Sequence, residues 1–330
     1  MRTPEQIFQN LLPHPLGEPQ AARAYAPSNI ALAKYWGKRD ATLNLPLNSS
    51  LSISLGNWGT QTKIAPAEKD QLTFNGVDLD ADDPAAAKVW RFVQLFAGEG
   101  RVPLHITTEN SIPTAAGLAS SASGFAALTM ALDGAYNTAL SKEMLSMLAR
   151  FGSGSATRSF WHGFVRWNKG RAADGRDSHA RPVPGKLKDL RIAIIAVDTG
   201  PKSQSSRDGM NHTVASSPLF DVWPERADTD CDAVEAAVKS GDFKALGEVS
   251  EANALAMHAT MMAARPALVY LKAGSWQVLE TLWKVRAEGL KAYATMDAGA
   301  NVKLIFRNRS ASDIAQVFPD AQIIDPLATN

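Results

Sequence analysis

A run of mostly small residues, Thr114 to Gly124, follows Asn110-Ser111-Ile112-Pro113 and leads directly into the apolar stretch Phe125 to Leu132. Such a run reads as a tight loop opening a buried helix. Glycines let the backbone approach closely, the free N–H groups of a helix start face outward, and the helix dipole favours negative charge there. Ser120, Ser121 and Ser123 add hydroxyl donors and candidate magnesium ligands. The spacing matches neither GxxxxGK[ST] nor GxGxxG. On spacing alone, a phosphate cradle and a helix start kept small for close packing both stand.

The rest of the composition bounds the answer. At about 150 residues per domain, a chain of 330 residues suggests two domains and a core that needs no staple. Thirty-four Lys plus Arg against 33 Asp plus Glu give a net charge of +1, with the signs interspersed. That pattern argues against nucleic acid as partner and for a neutral or small anionic ligand. Cys231, the single cysteine, excludes an intrachain disulfide and a multi-cysteine metal site, and it fits a cytoplasmic location. Residues 1–22 read as an N-terminal extension without targeting character. No window reaches the about 18 apolar residues of a membrane span, so no membrane partner is expected.

Periodicity gives the coarse order. Residues 23–30 are extended, and Leu51-Ser52-Ile53-Ser54-Leu55 alternates as a strand with one wet face. Asp83 and Ser141 stand as N-caps, the first followed by Pro84. Strand patterns recur at 104–107, 163–167 and 190–197, then at 293–296, 302–306 and 322–324; helical patterns occupy 231–238, 242–264 and 276–287. The polar stretch 168–188 separates a domain of residues 23–185 from one of 186–330. Clustered strands with short connections predict a two-layer α+β fold, not a doubly wound parallel sheet.

Three further segments carry chemistry. Asn29 to Asp40 sets Lys34 and Lys38 beside Tyr35, either to meet a polyanion or as a solvated basic turn with Trp36 in the core. Ser153, Ser155 and Arg158 form a second anion cluster or a capped helix with a surface arginine. Asp297, in Met296-Asp297-Ala298-Gly299, is either turn chemistry or a carboxylate delivered by a strand end. The six histidines show no metal-binding spacing, and no GxSxG elbow is present.

Taken together, NIALAKYWGKRDATLNLPLNSSLSISL, NSIPTAAGLASSASGFAAL, GSGSATRSF and MDAGAN resemble the diphosphomevalonate decarboxylases of the GHMP kinase superfamily. The resemblance runs from about Arg23 onward. It implies a two-domain GHMP kinase-like fold with the active site in the cleft. The implied reaction uses ATP and Mg2+ to convert mevalonate 5-diphosphate into isopentenyl diphosphate, ADP, phosphate and carbon dioxide. It further implies that Asp297, Lys34 and Arg158 are catalytic, and that Tyr35, Lys38, Ser153, Ser155, Ser205, Ser206, Arg207 and Met210 contact substrate. Thr108, Asn110, Gly117, Ser120, Ser121 and Ser123 would contact the nucleotide, with Ser121 also near magnesium, and the protein would be a homodimer. Ser111, Thr157, His162 and Ala300 depart from the family's usual Asn, Cys, Gly and Pro, and His162 threatens to crowd a neighbouring strand. Relatives on this scaffold leave a decarboxylase of mevalonate 5-phosphate, a mevalonate 3-kinase or a non-catalytic binding protein as alternatives.

Overall fold

A computed structural model describes residues 3–112, 121–200 and 204–328. Helix α1 (Pro4–Leu11) starts with a reciprocal capping box between Thr3 and Gln6 and with proline in its first turn. Strand β1 (Ala22–Ala33), the hairpin β2 (Lys38–Asp40) and β3 (Leu45–Pro46), and the long β4 (Ser50–Pro66) follow. β5 (Gln71–Phe74), β6 (Val77–Leu79), α2 (Pro84–Ala97) and β7 (Leu104–Asn110) come next. Beyond them lie α3 (Ser121–Ala135), α4 (Lys142–Ala149), a 3-10 turn at Gly154–Arg158, β8 (Phe164–Trp167) and β9 (Ala180–Val183). Asp83 and Ser141 cap α2 and α4, each accepting backbone N–H bonds.

β4 organises this first sheet. One edge pairs antiparallel with β1, while the other is shared between β7 at Thr60–Pro66 and β8 at Ser50–Ile53. The strand does not have the wet face its alternation suggested. Ser52 and Ser54 are buried along with Leu51, Ile53 and Leu55. The serine side is covered because Ser50 accepts from Arg158, and Ser54 bonds the backbone of Gly163 and Pro326. Small hydroxyl side chains allow that close cover, and those of Ser50 and Ser54 are paired by it, whereas the Ser52 hydroxyl has no partner among the described residues.

The chain crosses to a second sheet between Val183 and Leu190. There β10 (Leu190–Ile195), α5 (Ser206–Ser216), α6 (Trp223–Ser240), α7 (Phe243–Met262) and α8 (Ala273–Ala287) precede β11 (Ala292–Met296), β12 (Val302–Arg307), α9 (Ala311–Val317) and β13 (Gln322–Ile324). The sheet order is β11-β12-β10-β13, with every pairing antiparallel. Ile30, Leu32, Leu51 and Ile53 of the first sheet pack in one core with Ile192 and Ile194 of β10 and Val234 and Val238 of α6. At about 1.5–3 kcal/mol per buried aliphatic side chain, this shared core fixes the two sheets against each other. Glu235 of α6 reinforces it by accepting from Arg166 of β8 and Arg181 of β9.

His162 does not crowd its neighbour; its ring stacks on Tyr25 with centroids 6.4 Å apart. Residues 4–12 fold onto the first sheet's helical side. Phe8 is 1% exposed and meets Phe92, Phe96 and Phe151 edge-on at 5.9, 6.3 and 5.3 Å. Phe8→Ala is therefore expected to lower unfolding stability by about 3–5 kcal/mol, measured by urea denaturation. A loss below about 1 kcal/mol would show that this segment is peripheral.

Candidate active site

A cleft of about 580 Å³ opens between the two units, lined by the end of β1, the segment after β11, the start of the described part of α3, the Gly154–Arg158 turn and α5. Lys34 sits just past β1, where the strand has left its partner. Its N–H donates to Asn253 Oδ1 at 2.7 Å, and its carbonyl accepts from Asn48 Nδ2 at 2.7 Å. Two asparagines thus replace the missing ladder bonds and fix the backbone from which the ammonium projects. That ammonium, on a residue 2% exposed, donates to Ala31 O at 2.9 Å and to Asp297 Oδ1 at 2.8 Å.

Asp297 follows β11 in the segment leading to β12. Its other oxygen, Oδ2, accepts from Lys303 Nζ at 3.1 Å. The neighbouring backbone is held from three sides: His258 Nε2 contacts Asp297 O, Ser275 donates to Ala300 O, and Asn301 Oδ1 accepts from Val197 and Asp198 N–H. Burial alone would raise the Asp297 carboxyl. The charges of Lys303 and Lys34 and their hydrogen bonds outweigh it and hold the group far below the usual carboxylate range. Burial lowers Lys34 to about 8 despite the pull of Asp297, with Lys303 and Arg158 adding repulsion. His258 is pushed down to about 4 by burial and by Lys34, so it stands neutral.

Arg158 is 3% exposed and donates to Ser50 Oγ at 2.7 Å and to Asn29 Oδ1 at 3.4 Å. No ion pair engages it among the described residues, and its Nε has no partner there. Burial lowers it to about 10, leaving it a cation at neutral pH. Tyr35, edge-on to Trp167 at 4.8 Å, likewise has a buried hydroxyl without a partner among those residues. A side chain at Gly154 would meet the Tyr35 ring at 2.8 Å, so the glycine is what lets the turn approach. Buried unpaired polar groups are costly, and these converge on a cavity that can supply anionic acceptors.

Lys38, Ser153, Ser155, Ser205, Ser206, Arg207 and Met210 also line the cleft. Burial and Arg207 lower Lys38 to about 8. Ser153 lies 3.1 Å from Ser155 and 3.4 Å from Ser121, so three hydroxyls group at the start of the described part of α3. Ser205 caps α5. Gly117 and Ser120 lie outside the described residues. Thr108, Asn110 and Ser123 are not brought to the cleft wall. Thr108 meets Thr62, Thr60 donates to Asn110, and Ser123 is buried between Ser28 and Thr60. Lys303 was missed in the sequence, although a lysine inside the apolar Val302–Phe306 strand was a legible anomaly.

Fold and cleft define a class: an enzyme of GHMP type whose site gathers cations around one carboxylate. Two family models match, the diphosphomevalonate decarboxylase-like N-terminal domain over residues 26–180 and the mevalonate 5-diphosphate decarboxylase C-terminal domain over 192–325. A diphosphomevalonate decarboxylase of Candida albicans is 35% identical, with 87% of this chain and 84% of the relative covered. The mevalonate diphosphate decarboxylase structure from Staphylococcus aureus superposes with a TM-score of 0.87 at 36% identity, covering 94% of this chain and 97% of that one. A second structure, MDDEF in complex with MVAPP, AMPPCP and magnesium, gives 0.86 at 36% identity, covering 92% and 96%. The chain belongs to the diphosphomevalonate decarboxylase family.

Because Lys34 must be charged to hold Asp297, turnover is expected to fall as pH rises through about 8, the value to which burial lowers this lysine. Lys38 titrates in the same range, so the two are separated by substitution. In a pH–rate profile Lys38→Arg should keep the alkaline limb and Lys34→Arg should lose it. The reverse pattern would assign the limb to Lys38.

Proposed function

We propose that this chain catalyses the ATP-dependent decarboxylation of mevalonate 5-diphosphate to isopentenyl diphosphate, with release of ADP, phosphate and carbon dioxide. The observation that carries the reading is the Asp297 carboxylate held between two buried lysines, with the buried Arg158 on the same cavity wall. A tertiary alcohol leaves only after phosphorylation, and loss of that phosphate drives loss of the neighbouring carboxylate. Such a site must hold the substrate's carboxylate and diphosphate beside an incoming phosphoryl group.

In this reading Asp297 orients the 3-hydroxyl and receives its proton only as the new oxygen–phosphorus bond forms. A carboxylate kept this weakly basic does not ionise an alcohol beforehand. Arg158, whose Nε has no partner among the described residues, binds the substrate carboxylate, a match its fork geometry favours. Tyr35, Lys38, Ser153, Ser155 and Arg207 receive the diphosphate, and Ser205, Ser206 and Met210 of the α5 segment bound the substrate from the second unit.

Magnesium-ATP, when bound, supplies the phosphoryl group for the 3-hydroxyl. The described residues fit it as a guest. Ser121 and Ser153 offer hydroxyls at the start of the described part of α3, while no His/Cys/Asp/Glu cluster capable of holding a metal occurs among those residues. In this reading the metal enters with the nucleotide's own oxygens, as magnesium does in phosphoryl transfer. Residues 23–185 supply this nucleotide side and residues 186–330 supply Asp297. We also infer a cytoplasmic homodimer. The buried thiol of Cys231 suits a reducing compartment, and no described helix is long and apolar enough to cross a membrane; the dimer rests on the family resemblance.

The test is ADP release with carbon dioxide capture on mevalonate 5-diphosphate, mevalonate 5-phosphate and mevalonate. Equimolar ADP and carbon dioxide from the diphosphate is the expected result; ADP alone would mean a kinase, and activity restricted to the monophosphate would change the substrate. Asp297→Asn should lower kcat by about 10²–10⁴-fold while ATP still binds, as read by calorimetry. Near-normal turnover in that variant would remove Asp297 from the chemistry.

A further inference from the structure

We propose that Lys303 is a positioning residue for this reaction, gripping Oδ2 of Asp297 while Lys34 grips Oδ1, so that the carboxylate is fixed in plane toward the substrate hydroxyl. The inference rests on the function proposed above and assigns a role to a residue outside the sequence motifs. Lys303 stands in β12 between Val302 and Leu304, in a strand buried from Val302 to Phe306, and its side chain is 4% exposed. Burying an ammonium there costs several kcal/mol that a hydrophobic residue would not incur. Its nitrogen contacts only groups of the Asp297 segment among the described residues, Asp297 Oδ2 at 3.1 Å and Asn301 O at 3.5 Å.

Charge balance does not explain the second lysine. Lys34 alone neutralises the carboxylate, and Lys303 makes the cluster net positive with Arg158 nearby. What one lysine cannot do is stop the carboxylate turning about its Cβ–Cγ bond. Two donors on opposite oxygens, one beyond β1 and one in β12, remove that freedom. The charged and titratable groups facing Lys34 are Asp297 beyond β11, Lys303 in β12, Arg158 in the 3-10 turn and His258 in α7. Lys303 repels Lys34 within this set, which gives the grip an electrostatic signature separable from folding.

Lys303→Met, with Lys303→Gln as the second variant, tests this by steady-state kinetics and by ¹³C NMR titration of ε-labelled lysine. Lys34 is assigned in the spectra through Lys34→Arg. The expected result is a kcat lowered about 10–100-fold with little change in KM for either substrate. The Lys34 midpoint should rise by about one pH unit as the repulsion goes. An unchanged kcat overturns the proposal, as does an unmoved Lys34 midpoint accompanied by a general loss of melting temperature and substrate affinity. If wild-type protein releases neither ADP nor carbon dioxide, the proposed function fails. The Lys34 midpoint then still decides whether Lys303 acts on this carboxylate.

Discussion

Everything about the cleft follows from one carboxylate, Asp297, held at the cleft wall against two buried ammonium groups that approach from different parts of the chain. Lys34 extends from just past the end of β1, and Lys303 from β12 of the second sheet. Neither charge would be tolerable at this depth alone. The triad is stable only if the two units sit in register, so its geometry depends on the core they share. Ile30 and Leu32 lie just before Lys34 and pack into that core, which couples the position of the ammonium to sheet packing.

The surroundings are built to hold backbone as much as side chains. Asn253 and Asn48 occupy the polar groups of Lys34, and Asn253 in turn donates to Asp230 of α6 at 3.0 Å. Thr295 donates to Ala31 O, the same carbonyl that receives the Lys34 ammonium. Ser275 and Asn301 do comparable work for residues 297–301. With their positions fixed by neutral hydrogen bonds, the charged groups need little rearrangement when an anion arrives, the condition under which electrostatic stabilisation is strongest. Arg158 and Tyr35 differ in that the described residues leave donors of theirs unpaired, which makes them the part of the wall that gains most from a ligand.

Much was legible beforehand because it is local. The caps at Asp83 and Ser141, the apolar helix after Gly124 and the strands near 190 and 302 follow from side-chain size and spacing over a few residues. The motifs also singled out Lys34, Arg158 and Asp297, the first two as parts of cationic clusters and the third as a carboxylate at a strand end, with their catalytic roles implied by the family resemblance. Spacing could not say that this side of β4 would be buried, because Ser50 is met by Arg158 and Ser54 by residues 163 and 326, far along the chain. Nor could it separate Ser121, on the cleft wall, from Ser123, buried two residues later against Ser28 and Thr60.

The sequence by itself determined which segments are helix or strand, which residues are apolar enough to form a core and which carry charge, since these depend on backbone propensity and side-chain chemistry within a turn or two. Only the tertiary structure decided that Asp297 meets Lys34 across 263 positions and Lys303 across six. It also decided that Phe8 packs into the first sheet's core and that Thr108 and Asn110 bond to Thr62 and Thr60 of β4. The physical reason is that burial and pairing of charge depend on what other segments bring to the same volume, and that is fixed by sheet order and packing.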